Sequence, residues 1–191
     1  MKEIQNLFLD VDDVLVDFTG AACGLFGMEA PQDIIPDWDL VPYLGTDHRT
    51  FKLTIDGQGP EWWQSLEPLP WSAKLYDMCL DCSANLFLLT SPGPFAHSCA
   101  GKRFWIADTF GPSFVNYVIT TRKQLLASNE GATLIDDSPI NCSDFTEAGG
   151  TSVVFPGHGN VFYHMKQRAL KNPSQANIDL IIHHVESLLG V

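Results

Sequence analysis

The sequence predicts an α/β fold: a doubly wound parallel sheet with a small helical cap inserted after the first strand. Three observations lead there. Five short runs rich in β-branched and aromatic residues recur along the 191 residues. Helix-like patterns separate the later runs, and the stretch between the first two is far too long for a single crossover.

The first run, "IQNLFLDV" at residues 4–11, has apolar side chains on successive positions, as a strand buried on both faces requires. Residues 18–71 follow, rich in Pro, Gly and Trp and most irregular at "IPDWDLVPYLG" and "DGQGPEWWQSLEPLP"; they read as an inserted cap. The expected division is a core of residues 1–17 and 72–191 with a cap of residues 18–71. "SAKLYDMCLDC" reads as an amphipathic helix, in which Cys79 and Cys82 are half-buried helix cysteines rather than a zinc or redox pair. Runs at 84–90, 115–120, 132–137 and 151–156 supply the remaining strands, with helix patterns at 95–110, 122–129, 139–148 and 161–171. The closing "NIDLIIHHVESLL" gathers Ile178, Ile181, Ile182, Val185, Leu188 and Leu189 on one helical face.

Composition narrows the function. A hydrophobic share of 45% without low-complexity tracts indicates a folded globular chain. A net charge of -12 with only 11 Lys and Arg disfavours a nucleic-acid polymer as partner, because phosphate backbones are gripped by clustered cations. No apolar run approaches the ~20 residues that span a bilayer. Five scattered cysteines and an N-terminus that does not read as a signal peptide predict a reducing, cytoplasmic setting.

In a doubly wound sheet, ligands gather outside the carboxyl ends of the strands, so the residues there are the ones that matter. Asp10 and Asp12 follow the first run, Thr90 and Ser91 end the second, Arg122 and Lys123 follow the third, and Asp136 and Asp137 end the fourth. Crowded carboxylates repel one another unless a cation holds them; Asp10, Asp12, Asp136 and Asp137 therefore suggest a hard divalent metal, Mg²⁺ above all. Lys123 adds a fixed positive charge, and Thr90 and Ser91 add hydroxyl donors suited to a phosphoryl oxygen. Strand alternation turns Asp10 and Asp12 to the same side, with Val11 away. Asp10 is then placed to attack phosphorus, giving an aspartyl-phosphate. Asp12 protonates the leaving oxygen and later deprotonates water.

A hydrophobic run ending in DxD, "LLTS", a later Lys and "LIDD", in that order, resemble the four motifs of the haloacid dehalogenase superfamily. "LEPLPW", "LLTSP", "FGPSFVNYVITTRK" and "ATLIDDSP" bring the resemblance closer to the 5'(3')-deoxyribonucleotidase family over most of the chain outside the cap and the C-terminus. The resemblance implies a Rossmann-like core and Mg²⁺-dependent hydrolysis of nucleoside monophosphates. It makes Asp10 nucleophile and metal ligand, Asp12 acid/base with its carbonyl on the metal, and Asp137 a further ligand with Asp136 beside it. Thr90, Ser91 and Lys123 would hold phosphate, with Arg122 one step from the family's arginine position. Phe18 falls where the family packs an aromatic on the substrate, and Trp62 and Trp63 are candidates for a base-stacking wall. The sequence departs from the family at Pro94 and Thr121, where basic residues are usual, and at Asp13, where glycine is usual. For Asp13 a turn or helix-cap role is expected, and for His158 in "GHGN" a place in a turn.

The implied partner is a small molecule, with no nucleic-acid polymer and no membrane, and a homodimer stays open. Two other readings remain: a phosphatase of another small ester such as a sugar phosphate, and a non-enzymatic receiver-like domain. The latter needs a phospho-accepting Asp at a middle strand end where Thr90 stands, and has no place for a 50-residue cap.

Overall fold

The computed structural model describes residues 4–35, 38–93, 96–128 and 131–191. Five parallel strands, β1 (Ile4–Leu9), β2 (Ser83–Thr90), β3 (Tyr117–Ile119), β4 (Ala132–Asp136) and β5 (Thr151–Val154), form one sheet in the order β3-β2-β1-β4-β5. The register sets Leu9 beside Leu88 on one side and Ile135 on the other. Central placement explains why the first run has no polar face. Leu7 and Leu9 enter the larger core with Leu88, Ile135 and Val153, whereas Phe8 enters a second core with Leu89, Leu134 and Phe145 on the opposite face.

Helices α5 (Ser72–Asp81), α6 (Ala96–Phe110) and α9 (Gln175–Leu189) supply Leu75, Cys79, Trp105, Ile106, Ile181, Ile182 and Val185 to the larger core. On the other face, α7 (Pro139–Glu147) contributes Phe145, whose ring meets Phe8 edge-on. α8 (Tyr163–Lys171) packs against α9. Cys79 is buried on α5, Cys82 is half-buried just past its end, and all five cysteines are free.

Of the elements that differ from their sequence expectation, three stand out. β1 stops at Leu9 because Val11 turns back to accept hydrogen bonds from the N–H groups of Val14, Leu15 and Val16. β3 has only three residues, at the sheet edge, with Val115 exposed before it. The helix expected at 122–129 is a single 3-10 turn, Lys123–Leu126, because Leu126 and Ala127 face the core while Leu125 points outward; residue 129 lies outside the described residues.

Four helices occupy the insertion: α1 (Phe18–Leu25), α2 (Leu40–Tyr43), α3 (His48–Asp56) and α4 (Gly59–Gln64). Its ends run side by side, Asp17 N–H donating to Glu67 O at 3.0 Å and Leu69 N–H to Leu15 O at 2.9 Å. α4 lies tight on α6: a Cβ on Gly101 would stand 2.3 Å from Trp63 Cβ and 2.4 Å from Pro60 O. Among the described residues, no helix is long and apolar enough to cross a membrane.

Candidate active site

The sheet register delivers Asp10, Thr90 and Asp136 to one edge. Asp10 N–H still donates to Ile135 O at 3.0 Å, so its side chain leaves from a backbone locked to β4. Lys123, whose position opens the 3-10 turn, is buried with Nζ 2.7 Å from Asp10 Oδ1 and 2.7 Å from Asp136 Oδ2. Asp136 is further held by Ser138 N–H at 2.9 Å and by Asn141 Nδ2, which donates to both carboxylate oxygens at 3.1 Å. Asp12 pairs with Lys102, which rises from α6 and also donates to Thr90 Oγ1 at 2.9 Å and Ser91 O at 2.5 Å. The Lys102 ammonium lies over the Trp63 ring.

Asp137 receives Trp38 Nε1 at 3.4 Å, and its carbonyl accepts from Asn160 Nδ2 at 3.2 Å. The backbone of Gly157 lies against it; a Cβ there would meet Asp137 Oδ2 at 2.7 Å, so the turn in "GHGN" requires glycine at this position. Asp13 sits in the left-handed region with φ 60. Its carboxylate accepts from Thr19 N–H at 3.1 Å and Thr19 Oγ1 at 2.6 Å, holding the first turn of α1. Lys166 of α8 reaches the same residue, donating to Asp13 O at 2.8 Å and Oδ1 at 3.0 Å. His158 shares a 3.1 Å hydrogen bond with Thr19 Oγ1 and stacks on Trp38, so it is a buried wall of the site rather than a surface histidine.

Oxygen atoms of Asp10, Asp136 and Asp137 lie within 4.8 Å of one another. Burial, and then the charge of Asp136, push Asp10 up to about 7 despite Lys123. Burial, with Asp13 and Asp136 nearby, holds Asp137 well above the usual carboxylate range. Both shifts express negative charge in want of a cation. Asp12 Oδ1 and Asp10 Oδ1 are buried with no hydrogen-bond donor in line, the Lys123 contact to the latter being an ion pair. An all-oxygen donor set of buried, crowded carboxylates fits a hard divalent cation of the Mg²⁺ type.

The site opens into a cavity of about 400 Å³ whose floor holds Asp10, Asp12, Asp137, Ser91 and Lys123. Phe18, Trp38, Val41 and Phe51 form its apolar side, with His48 and Lys52 of α3 also lining it. A smaller cavity of about 210 Å³ continues past Phe18 to Trp63, Lys102 and Gly93. Phe18 stacks on Trp63 with centroids 5.5 Å apart and meets Trp62 edge-on.

The strand-end residues expected from sequence therefore converge, apart from two that stand back. Thr90 is fully buried behind Ser91 and holds Lys102, and Arg122 is exposed, lining neither cavity. Of the two expected aromatics of α4, Trp63 lines the smaller cavity and Trp62 lines neither, while Trp38 and Phe51 line the larger one. The departure at Pro94 falls outside the described residues. Lys102 was absent from the sequence expectation, yet a signal existed: it occupies a core position in the run Ser98, Gly101, Lys102, Trp105, Ile106, where only a functional or paired lysine is tolerated. Asn141, Trp38 and Lys166 left no comparable trace.

The family model for "5' nucleotidase, deoxy (Pyrimidine), cytosolic type C protein" matches residues 2–185. The human mitochondrial 5'(3')-deoxyribonucleotidase is 26% identical over 144 residues, 70% of this chain and 62% of that protein, so the chain spans less than two thirds of its length. The human cytosolic-type enzyme is 27% identical over 147 residues, 72% of each chain. A haloacid dehalogenase family hydrolase from Deinococcus radiodurans R1 shares the fold with a TM-score of 0.52 at 12% identity, covering 94% of this chain and 98% of that one. With the match running from residue 2 to residue 185, the chain belongs to the cytosolic type C deoxypyrimidine 5'-nucleotidase family.

Proposed function

We propose that this chain is a phosphoric monoester hydrolase that removes phosphate from nucleoside monophosphates through an aspartyl-phosphate on Asp10. The observation that carries the reading is that Asp10 and Asp12, each held by its own buried lysine, face Asp137 across the floor of one cavity with an apolar side. Family membership supports the substrate class, as does the width of that side, where Phe18, Trp38 and Phe51 offer flat surfaces to a base. The insertion of residues 18–71 acts as the cap, since it supplies all three rings.

Mg²⁺ would be held by Asp10, the Asp12 carbonyl, Asp136 and Asp137. When bound, the cation supplies positive charge that keeps Asp10 ionised and draws in the phosphate oxygens. An Asp10 carboxylate oxygen attacks phosphorus and the ester P–O bond breaks, Asp12 giving its proton to the departing alkoxide. Asp12 then takes a proton from water, which attacks the phosphorus and frees inorganic phosphate, returning the Asp10 carboxylate. Lys123 fixes the Asp10 carboxylate against Asp136, so the nucleophile is aimed before substrate arrives.

Asp10→Asn tests the mechanism: Mg²⁺-dependent phosphate release should vanish for every substrate while the thermal midpoint stays within a few degrees, and retained turnover refutes the assignment. A panel of nucleoside monophosphates and sugar phosphates tests the substrate class. Higher kcat/KM for nucleotides supports it, and a flat profile makes the chain a generalist phosphatase.

A further inference from the structure

The strand ends carry one carboxylate more than the proposed chemistry uses. Asp10, Asp12, Asp136 and Asp137 all have roles in it, whereas Asp13 faces the same cluster, its oxygen within 4.8 Å of Asp137 and His158 ligand atoms, and has none. Burying a further charge here is costly unless it is cancelled. The cancelling group comes from α8: Lys166 is 2% exposed, and both acceptors described for its Nζ belong to Asp13.

The charges around the site can be followed one by one. Lys102 meets Asp12, Lys123 is shared by Asp10 and Asp136, and Lys166 meets Asp13. With all five ionised, as a bound divalent cation would hold them, the carboxylates outnumber the three buried ammonium groups by two negative charges, the complement of that cation. Asp39, with His48 and Lys52, lines the cavity outside this set, and Asp17 caps α1.

We propose that Lys166 sets the charge of the catalytic cluster: by cancelling Asp13 it leaves a demand for one divalent cation and fixes how tightly that cation is held. Lys166 is thus a positioning residue, acting through Asp13 and touching neither substrate nor metal. This rests on the divalent-cation reading of the site. It also explains why a lysine is buried on a helix far along the chain, where an apolar residue would pack more cheaply.

Mn²⁺ binding to the full chain, measured by titration calorimetry at pH 8 and fixed ionic strength, tests this. The wild type should take up one Mn²⁺. Lys166→Met, which adds one net negative charge, should tighten binding about tenfold or more, and Asp13→Asn, which removes one, should weaken it by a similar factor. The double variant should return to within about threefold of the wild type if the pair acts through charge. Asparagine tolerates the left-handed backbone at this position, so Asp13→Asn keeps the turn. A purely structural role would weaken binding in both single variants; shifts in the same direction, or none, overturn the proposal. Should Lys166→Met not fold, Asp13→Asn against the double variant decides, by the loss and its recovery. A wild type that takes up no Mn²⁺ overturns the divalent-cation reading itself, and the charge role with it.

Discussion

Lys102→Met isolates the residue on which the Asp12 side of the site depends. The ammonium is buried, paired with Asp12, and hydrogen-bonded to Thr90 Oγ1 and Ser91 O. An ion pair at about 4 Å in an effective dielectric near 20 is worth about 4 kcal/mol. Burying the ammonium consumes part of that gain, and Asp12 retains 24% exposure of its side chain, through which water partly replaces the lost partner. The net loss is then about 2 kcal/mol, equivalent to a fall of about 4–8 °C in Tm for a chain of this size. Turnover falls further than stability does. Without Lys102 the Asp12 carboxyl loses the contact that holds it over the leaving oxygen, and such misplacement costs about 100-fold in kcat. Thermal melts of wild type and variant, with initial rates across a range of nucleoside monophosphate concentrations, separate the two effects. A variant melting within about 1 °C of the wild type with unchanged kcat refutes the assigned role.

Other perturbations have equally definite outcomes. Gly101→Ala forces α4 away from α6 and should cost about 1–3 kcal/mol in urea denaturation; a neutral result would mean the helices slide apart freely. Phe145→Ala, in the core opposite the insertion, should cost about 3–5 kcal/mol with kcat preserved in the folded protein, which a combined melt and rate assay checks. Trp38→Ala and Phe51→Ala should raise KM for nucleotides while leaving that for a small phosphate ester almost unchanged; equal effects on both would remove these rings from base contact. In chelator, Asp10 binds more protons folded than unfolded between its ordinary 3.8 and about 7, so its contribution makes stability fall as pH rises through that window. Asp137 acts in the same sense, and added Mg²⁺ should flatten the slope; a urea midpoint that rises from pH 5 to pH 7 in chelator contradicts this.

The fold and the acidic half of the site were legible because both are local. Leu7, Phe8 and Leu9 announce a strand buried on two faces, and the positions just past it and past Ile135 carry the carboxylates. Of the basic half only Lys123 was legible, because Lys102 and Lys166 meet Asp12 and Asp13 across 90 and 153 positions of chain. Arg122 and Lys123 look interchangeable in "TTRKQ", and only the 3-10 turn that follows decides that Lys123 enters and Arg122 stays outside. The same holds among the aromatics: Trp62, Trp63 and Trp38 are equivalent as letters, and the packing of α4 on α6 spends Trp63 on the smaller cavity while Trp38 reaches Asp137.

The adjoining ends of the insertion have an engineering consequence. Val16 and Pro68 already form an antiparallel bridge, so the four helices between them leave and rejoin the core at a two-stranded neck, with Leu40, Ile55 and Trp63 packed into that core. Whatever replaces them, a tight hairpin or a longer lid from another source, need only begin and end at two neighbouring points, and closing such a loop costs slowly more as it lengthens. The hydrolytic machinery sits on strand ends and on α6, below that neck. On the proposed function, transplanting one continuous stretch of chain that also fills the place of Trp63 against α6 should change substrate range while the sheet keeps its register.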